Sequence, residues 1–195
     1  TRTPGYNSPE FFNFRNMKRT LLLIVLCVPV LSGISAQEVL RRPATLLEDE
    51  KKLQVVVFLS TECPLCRNYT LTLNQLYKQY GDRVQFTGIV PGKAYTAADV
   101  KAFRDKYKVT WPIYIDTGKT ISTILQAKVT PEAYLVRGPK KVYYHGSIDN
   151  WIKELGGASA RATVFYLRDA IDETLADKPV HVPYNKPVGC LINDY

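Results

Sequence analysis

Leu53-Gln54-Val55-Val56-Val57-Phe58-Leu59 is an apolar run interrupted only by Gln54 and β-branched at its centre, and Cys63-Pro64-Leu65-Cys66 follows it within four residues. A run of that length without polar alternation reads as a buried strand. Beyond the cysteines, Arg67 to Tyr80 reads as a helix, with Leu71, Leu73, Leu76, Tyr77 and Tyr80 at near-helical spacing and Gly81 as its stop. A buried strand feeding a helix through a tight turn commits the chain to a layered α/β arrangement. It also puts two thiols at the turn. They can close a small disulfide ring, and the helix N-terminus stabilises a thiolate on the first of them.

The rest of the chain extends that pattern. Arg83–Val90 reads as a strand closed by Pro91-Gly92, and Thr96-Ala97-Ala98-Asp99 carries a capping-box signature ahead of Val100, Phe103 and Tyr107. Pro112–Asp116 is a third strand, and Thr120–Leu125 a brief helix. Ala133–Val136 and Lys141–His145 form a hairpin across Gly138-Pro139-Lys140. Val164, Leu167, Ile171 and Leu175 mark a last helix spanning Ala158–Ala176, and Ala44–Lys52 is a helix-compatible lead-in. Strands and helices alternate, then a hairpin and a closing helix follow. That order gives an α/β domain with a mixed central sheet and helices on both faces.

Domain organisation follows from the ends. Met17-Lys18-Arg19-Thr20, the apolar run Leu21–Leu31 and Ser32-Gly33-Ile34-Ser35-Ala36 make residues 17–36 a secretory signal, cleaved after Ala36 or one residue earlier. Residues 1–16 are an upstream segment without a role in the fold. Residues 37–195 form a single domain, with a core at 53–176 and a tail at 177–195. Without residues 1–36 the net charge falls from +8 to +5, since Arg2, Arg15, Lys18, Arg19 and Glu10 are lost. That charge is spread along the chain, which excludes nucleic acid as a partner and does not imply a membrane surface. Cys27 leaves with the signal, so Cys63, Cys66 and Cys190 are an odd set in an exported chain.

With strand, Cys-x-x-Cys, helix, Thr130-Pro131, hairpin and final helix in this order, the chain resembles the thioredoxin-like superfamily. Its nearest likeness is to the exported redoxin branch of alkyl-hydroperoxide-reductase and TlpA-type proteins. Val57–Cys66, Tyr107–Asp116, Val129–Val136 and Pro187–Cys190 carry the likeness. The resemblance implies a thiol–disulfide oxidoreductase in which Cys63 is the exposed nucleophile and Cys66 the more buried resolving thiol. It implies a cis bond at Thr130-Pro131, with the Thr130 backbone and Trp111 docking a substrate strand. Pro64 suits the first helical position, where its missing N–H costs nothing. No cofactor and no metal are implied; the partners are protein thiols or disulfides and a redox partner, in a bacterial periplasm or cell envelope.

Departures from thioredoxin are specific. Glu62 stands where thioredoxin has Trp, and its charge would raise the thiolate's pKa. Pro64-Leu65 replaces Gly-Pro, and Val57 replaces a buried acid, leaving Glu132 as a substitute proton group for Cys66.

Other readings compete. A purely stapling disulfide across two residues would remove little unfolded-state entropy. A thiol peroxidase needs Pro-x-x-x-Thr-x-x-Cys, but those positions hold Val56 and Ser60. A copper chaperone of the Sco type needs a wider cysteine spacing and a distal His, for which His145 and His181 are the candidates. Cys190, the candidate third thiol, has three fates: folding back onto the dithiol, pairing with a second molecule, or resting as a free cysteine.

Overall fold

The computed structural model describes residues 45–192; the signal segment and its cleavage point lie outside the described residues. The expected buried strand is β1 (Gln54–Phe58), buried at every position. It runs into α1 (Pro64–Tyr80), which starts at the proline, because φ there is already helical and no N–H is lost. β2 (Gln85–Pro91), α2 (Ala97–Tyr107), β3 (Ile113–Asp116) and α3 (Thr120–Leu125) follow. Next come a two-residue strand β4 (Val129–Thr130), then β5 (Glu132–Arg137) and β6 (Lys141–Gly146). The chain closes with β7 (Ile152–Glu154), β8 (Gly157–Ala158), α4 (Tyr166–Leu175) and β9 (Cys190–Leu191).

The main sheet has the order β3-β2-β1-β5-β6. β1, β2 and β3 are parallel neighbours, whereas β5 runs antiparallel to β1 and to β6. This is the thioredoxin-like arrangement, with the mixed sheet and flanking helices expected. Because β1, β2 and β3 step in one direction with right-handed crossovers, α1 and α2 fall on the same face. There Val55, Val57, Leu59, Ala133 and Leu135 pack with Leu73, Leu76, Val100, Phe103, Leu167 and Ile171. The opposite face of β1 and β5 (Val56, Phe58, Tyr134, Val136) is covered by Ile121 and Leu125 of α3 and by Leu46 and Leu47.

Several local expectations are corrected. Residues 45–52 form turns rather than a helix, with Glu48 N–H donating to the Thr45 carbonyl at 3.2 Å. Leu71 lies outside the packed stripe of α1 and is 67% exposed. The last helix begins at Tyr166, not Ala158: Gly157–Ala158 pairs with β7, and the Asn150 carboxamide oxygen accepts from the N–H groups of Thr163 and Val164 at 2.8 and 3.0 Å. Those bonds hold the segment before α4 as a loop, so Val164 is not on a helix.

Two polar clasps fix α1, and with it the dithiol. Tyr69 donates to Asp149 and Tyr80 to Asp172, both at 2.7 Å, tying α1 to the loop after β6 and to α4. Asn74 donates to the carbonyls of Tyr107 and Lys108 and accepts from the Trp111 indole N–H at 3.0 Å. Trp111 fits because Gly88 faces it: a Cβ there would stand 2.8 Å from the Trp111 ring.

Candidate active site

Cys63 is the N-cap residue of α1, and Cys66 lies one turn in. Cys66 is fully buried, and the Ser60 N–H donates to its sulfur at 3.4 Å. The loop between β1 and α1 is further held by Arg67, whose Nε–H donates to the Thr61 carbonyl at 3.1 Å. The site's second wall comes from the other side of β1. The Thr130–Pro131 bond is cis, and Cys63 Sγ lies 3.2 Å from the Thr130 carbonyl oxygen, to which its thiol form donates.

A third element completes the cluster. β9 pairs antiparallel with β4, Thr130 opposite Cys190 and Val129 opposite Leu191. This places Cys190 Sγ 2.8 Å from Cys63 Sγ. Of the three fates open to Cys190, the tail therefore takes the first. None of the three thiols is in a disulfide.

The electrostatics separate the three sulfurs. Cys63 is lowered to about 5, chiefly because the Cys66 thiol hydrogen-bonds to it. Burial works against this, while the Cys190 thiol and the backbone N–H groups of Cys66 and Leu65 add to it. Cys66 moves the other way, well above an ordinary thiol, through burial first and then through its bond to Cys63 and the charge there. Cys190 is raised to about 11, by burial and then by the same neighbour. One thiolate is thus held between two thiol donors.

Four expectations need revision. Cys63 is not exposed: only 3% of it reaches solvent, because β9 lies over it. Glu62, expected to raise the Cys63 pKa, points to solvent and is absent from the causes of the shift. Trp111 is 0% exposed and spends its N–H on Asn74, so it offers a docking partner no surface. Glu132 cannot serve Cys66, since strand alternation turns it to the sheet's opposite face, as its partner Phe58 is. There its carboxylate accepts from the Lys128 N–H at 2.9 Å and the Tyr134 hydroxyl at 2.7 Å.

The histidines do not complete a cysteine ligand set. His145 shares the face of Tyr134, on which it stacks with centroids 5.3 Å apart, and the His181 backbone is bound to Glu173 near the end of α4. Ser60, at the position a peroxidase fills with Thr, shares a 2.8 Å hydrogen bond with the Tyr95 hydroxyl. A cleft of about 400 Å³ lies beside the dithiol loop, lined among others by Thr61, Glu62, Tyr95, Thr130 and Leu191. Tyr95 is an addition to the residues that the sequence points to, and Gly189, inside the Pro187–Cys190 stretch, is brought against Thr130. The signal for Gly189 was its place directly before Cys190, between Val188 and the apolar pair Leu191-Ile192.

Comparison with known proteins bears on the fold and the family. No curated protein matches the sequence. Among solved structures, an uncharacterised conserved protein from Geobacillus kaustophilus is 24% identical with a TM-score of 0.64, the match covering 76% of this chain and 82% of that one. A hypothetical protein from Sinorhizobium meliloti 1021 is also 24% identical, with a TM-score of 0.61 and coverage of 74% and 80%. At that identity the likeness concerns the fold. A family model described as AhpC/TSA matches residues 35–145, a span that holds Cys63, Cys66 and the cis-proline. Because that match takes in more than half of the chain, the protein belongs to the AhpC/TSA family, the redoxins of thioredoxin-like fold.

Proposed function

We propose that the protein is an exported thiol–disulfide oxidoreductase acting on protein substrates through Cys63 and Cys66. The observation that carries this reading is the split between two adjacent thiols: Cys63 lowered to about 5 at a helix N-terminus, Cys66 buried and raised. The thiolate is the attacking species, so Cys63 is charged and nucleophilic at neutral pH. Cys63 is the attacking sulfur and Cys66 is fully buried, so the mixed disulfide forms on Cys63.

In the reducing direction, Cys63 Sγ attacks a substrate disulfide and expels one substrate sulfur as thiolate. Cys66 then loses its proton and attacks Cys63 Sγ, closing the Cys63–Cys66 bond and releasing the second substrate thiolate. The oxidising direction runs the same steps backwards. Thr130 presents the backbone edge against which a substrate segment pairs, next to Pro131. The basic signal-like segment at 17–36 supports placement in a bacterial envelope, where such exchange partners occur.

Reduction of insulin disulfides by wild type and Cys63→Ser, with dithiothreitol as the electron source, tests the assignment. Loss of turnover in the variant is expected; undiminished turnover sinks it. Hydrogen peroxide consumption, measured in parallel, is expected to stay at the level of an ordinary thiolate. Rapid peroxide turnover dependent on Cys63 would move the reading to a peroxidase.

A further inference from the structure

We propose that the C-terminal segment Pro187–Ile192 is a tethered substrate strand seated in the protein's own docking groove, with Cys190 as a third exchanging thiol for Cys63. This deepens the reading above and rests on Cys63 being the nucleophile.

Three observations of different kinds support it. The first is backbone pairing. β9 adds an antiparallel strand to β4, opposite Val129 and Thr130, and the Ile192 N–H donates to the Lys128 carbonyl at 3.0 Å. Strand addition to a free edge is how an extended peptide gains affinity without sequence-specific contacts. The second is register. Of the tail residues, it is the cysteine that faces Cys63, at 2.8 Å between sulfurs, where a bond requires about 2.05 Å. The third is the residue before it. A Cβ on Gly189 would stand 2.4 Å from the Thr130 carbonyl oxygen, a distance no side chain tolerates. Glycine there lets the tail lie flat on the cis-proline loop.

The tail's grip is short. Its ladder is two residues long and Leu191 is 74% exposed, while Val188, Cys190 and Ile192 are only partly buried against the core. A short ladder with an exposed apolar residue opens at low cost, as a strand must if it is to give way to a foreign substrate.

The exchange balances without an outside oxidant once the dithiol is oxidised. Cys190 loses its proton and attacks Cys63 Sγ. The Cys63–Cys190 bond forms, the Cys63–Cys66 bond breaks, and its electron pair leaves on Cys66, which takes up the proton. The disulfide moves from one pair to the other. In the reduced protein the same segment covers Cys63, so a foreign disulfide reaches the thiolate only after β9 lifts away.

The test uses the full chain carrying Cys66→Ser, equilibrated with oxidised glutathione, quenched in acid, alkylated and read by peptide mass. Cys63 first takes up glutathione and expels reduced glutathione. The expected end state is a monomer with Cys63 joined to Cys190 and a second reduced glutathione released. Cys63 found only as its glutathione adduct or in dimers, with Cys190 alkylated, overturns the proposal and leaves the nucleophile reading intact. Cys63 left as a free, alkylated thiol in both this variant and wild type, with no reduced glutathione released, overturns both.

Gly189→Ala, with Cys66 intact, gives an independent reading in the reduced protein. Its added methyl should lift the tail and speed iodoacetamide labelling of Cys63 by about tenfold or more, with the melting temperature nearly unchanged. An unchanged labelling rate overturns the covering role.

Discussion

Two stretches of the chain bring a cysteine to the same point by opposite means. Residues 53–80 do it by burial: β1 is buried throughout, Leu73 is 0% exposed, and Tyr69 and Tyr80 anchor α1 to Asp149 and Asp172. The tail does it by a two-residue ladder, with Leu191 74% exposed. The first arrangement fixes Cys63 and Cys66 relative to each other, as a resolving step needs. The second places Cys190 against Cys63 through a short ladder, from which it is proposed to depart. On the proposed mechanism, the contrast is between one rigid sulfur pair and one exchangeable partner.

The sharpest way to break the comparison is to remove the shared sulfur. Cys63→Ser should lower insulin-disulfide reduction by roughly 10³-fold, the scale on which loss of a nucleophile acts. Cys190→Ser should keep a measurable fraction of the exchange, because Cys63 and Cys66 still form a pair. Equal loss in both variants would show that the tail thiol is as essential as the dithiol.

A smaller effect separates the two supports. Leu73→Ala empties a fully buried site beneath α1 and should cost about 2–5 kcal/mol. Leu191→Ala, on the tail, should change stability by less than about 0.5 kcal/mol. Urea unfolding of both variants checks this, and a Leu191→Ala loss comparable to that of Leu73→Ala would make the tail part of the core.

What the sequence made legible divides along the same line. β1, the proline start of α1 and the Thr96 capping box are written in local spacing, so they were readable, and the alternation of elements led to the sheet. The thiol positions of Cys63 and Cys66 followed from the helix start. The tail was not readable in this way, because its strand exists only through pairing with Val129–Thr130, sixty residues away in sequence. Local pattern says nothing of such a partner. For that reason Cys63 reads as exposed in the sequence and is buried in the fold. The resemblance puts Trp111 beside the docking groove, and the loss of a buried acid at Val57 leaves Glu132 as the substitute proton group, whereas the Gly88 gap and sheet alternation decide where they go.

The finest discrimination lies in the pH dependence of the two touching sulfurs. Cys63 is lowered to about 5, so it charges as the pH rises through that value. Its iodoacetamide labelling rate should climb between pH 4 and 6 and then level off, whatever fraction of time the tail spends open. Cys190 is raised to about 11, so its thiolate is scarce at pH 7 and grows about tenfold per pH unit up to pH 10. Initial labelling rates for each cysteine, followed by peptide mass, give the two curves separately. The more exposed sulfur is then the less reactive one at neutral pH per unit of access, the reverse of what exposure alone dictates. If both curves rise together near pH 9, Cys63 carries no special charge, and the tail covers an ordinary thiol. If they separate, the Cys66 thiol, first among the donors to Cys63, sets the order of events: Cys63 attacks, and Cys190 waits as its partner.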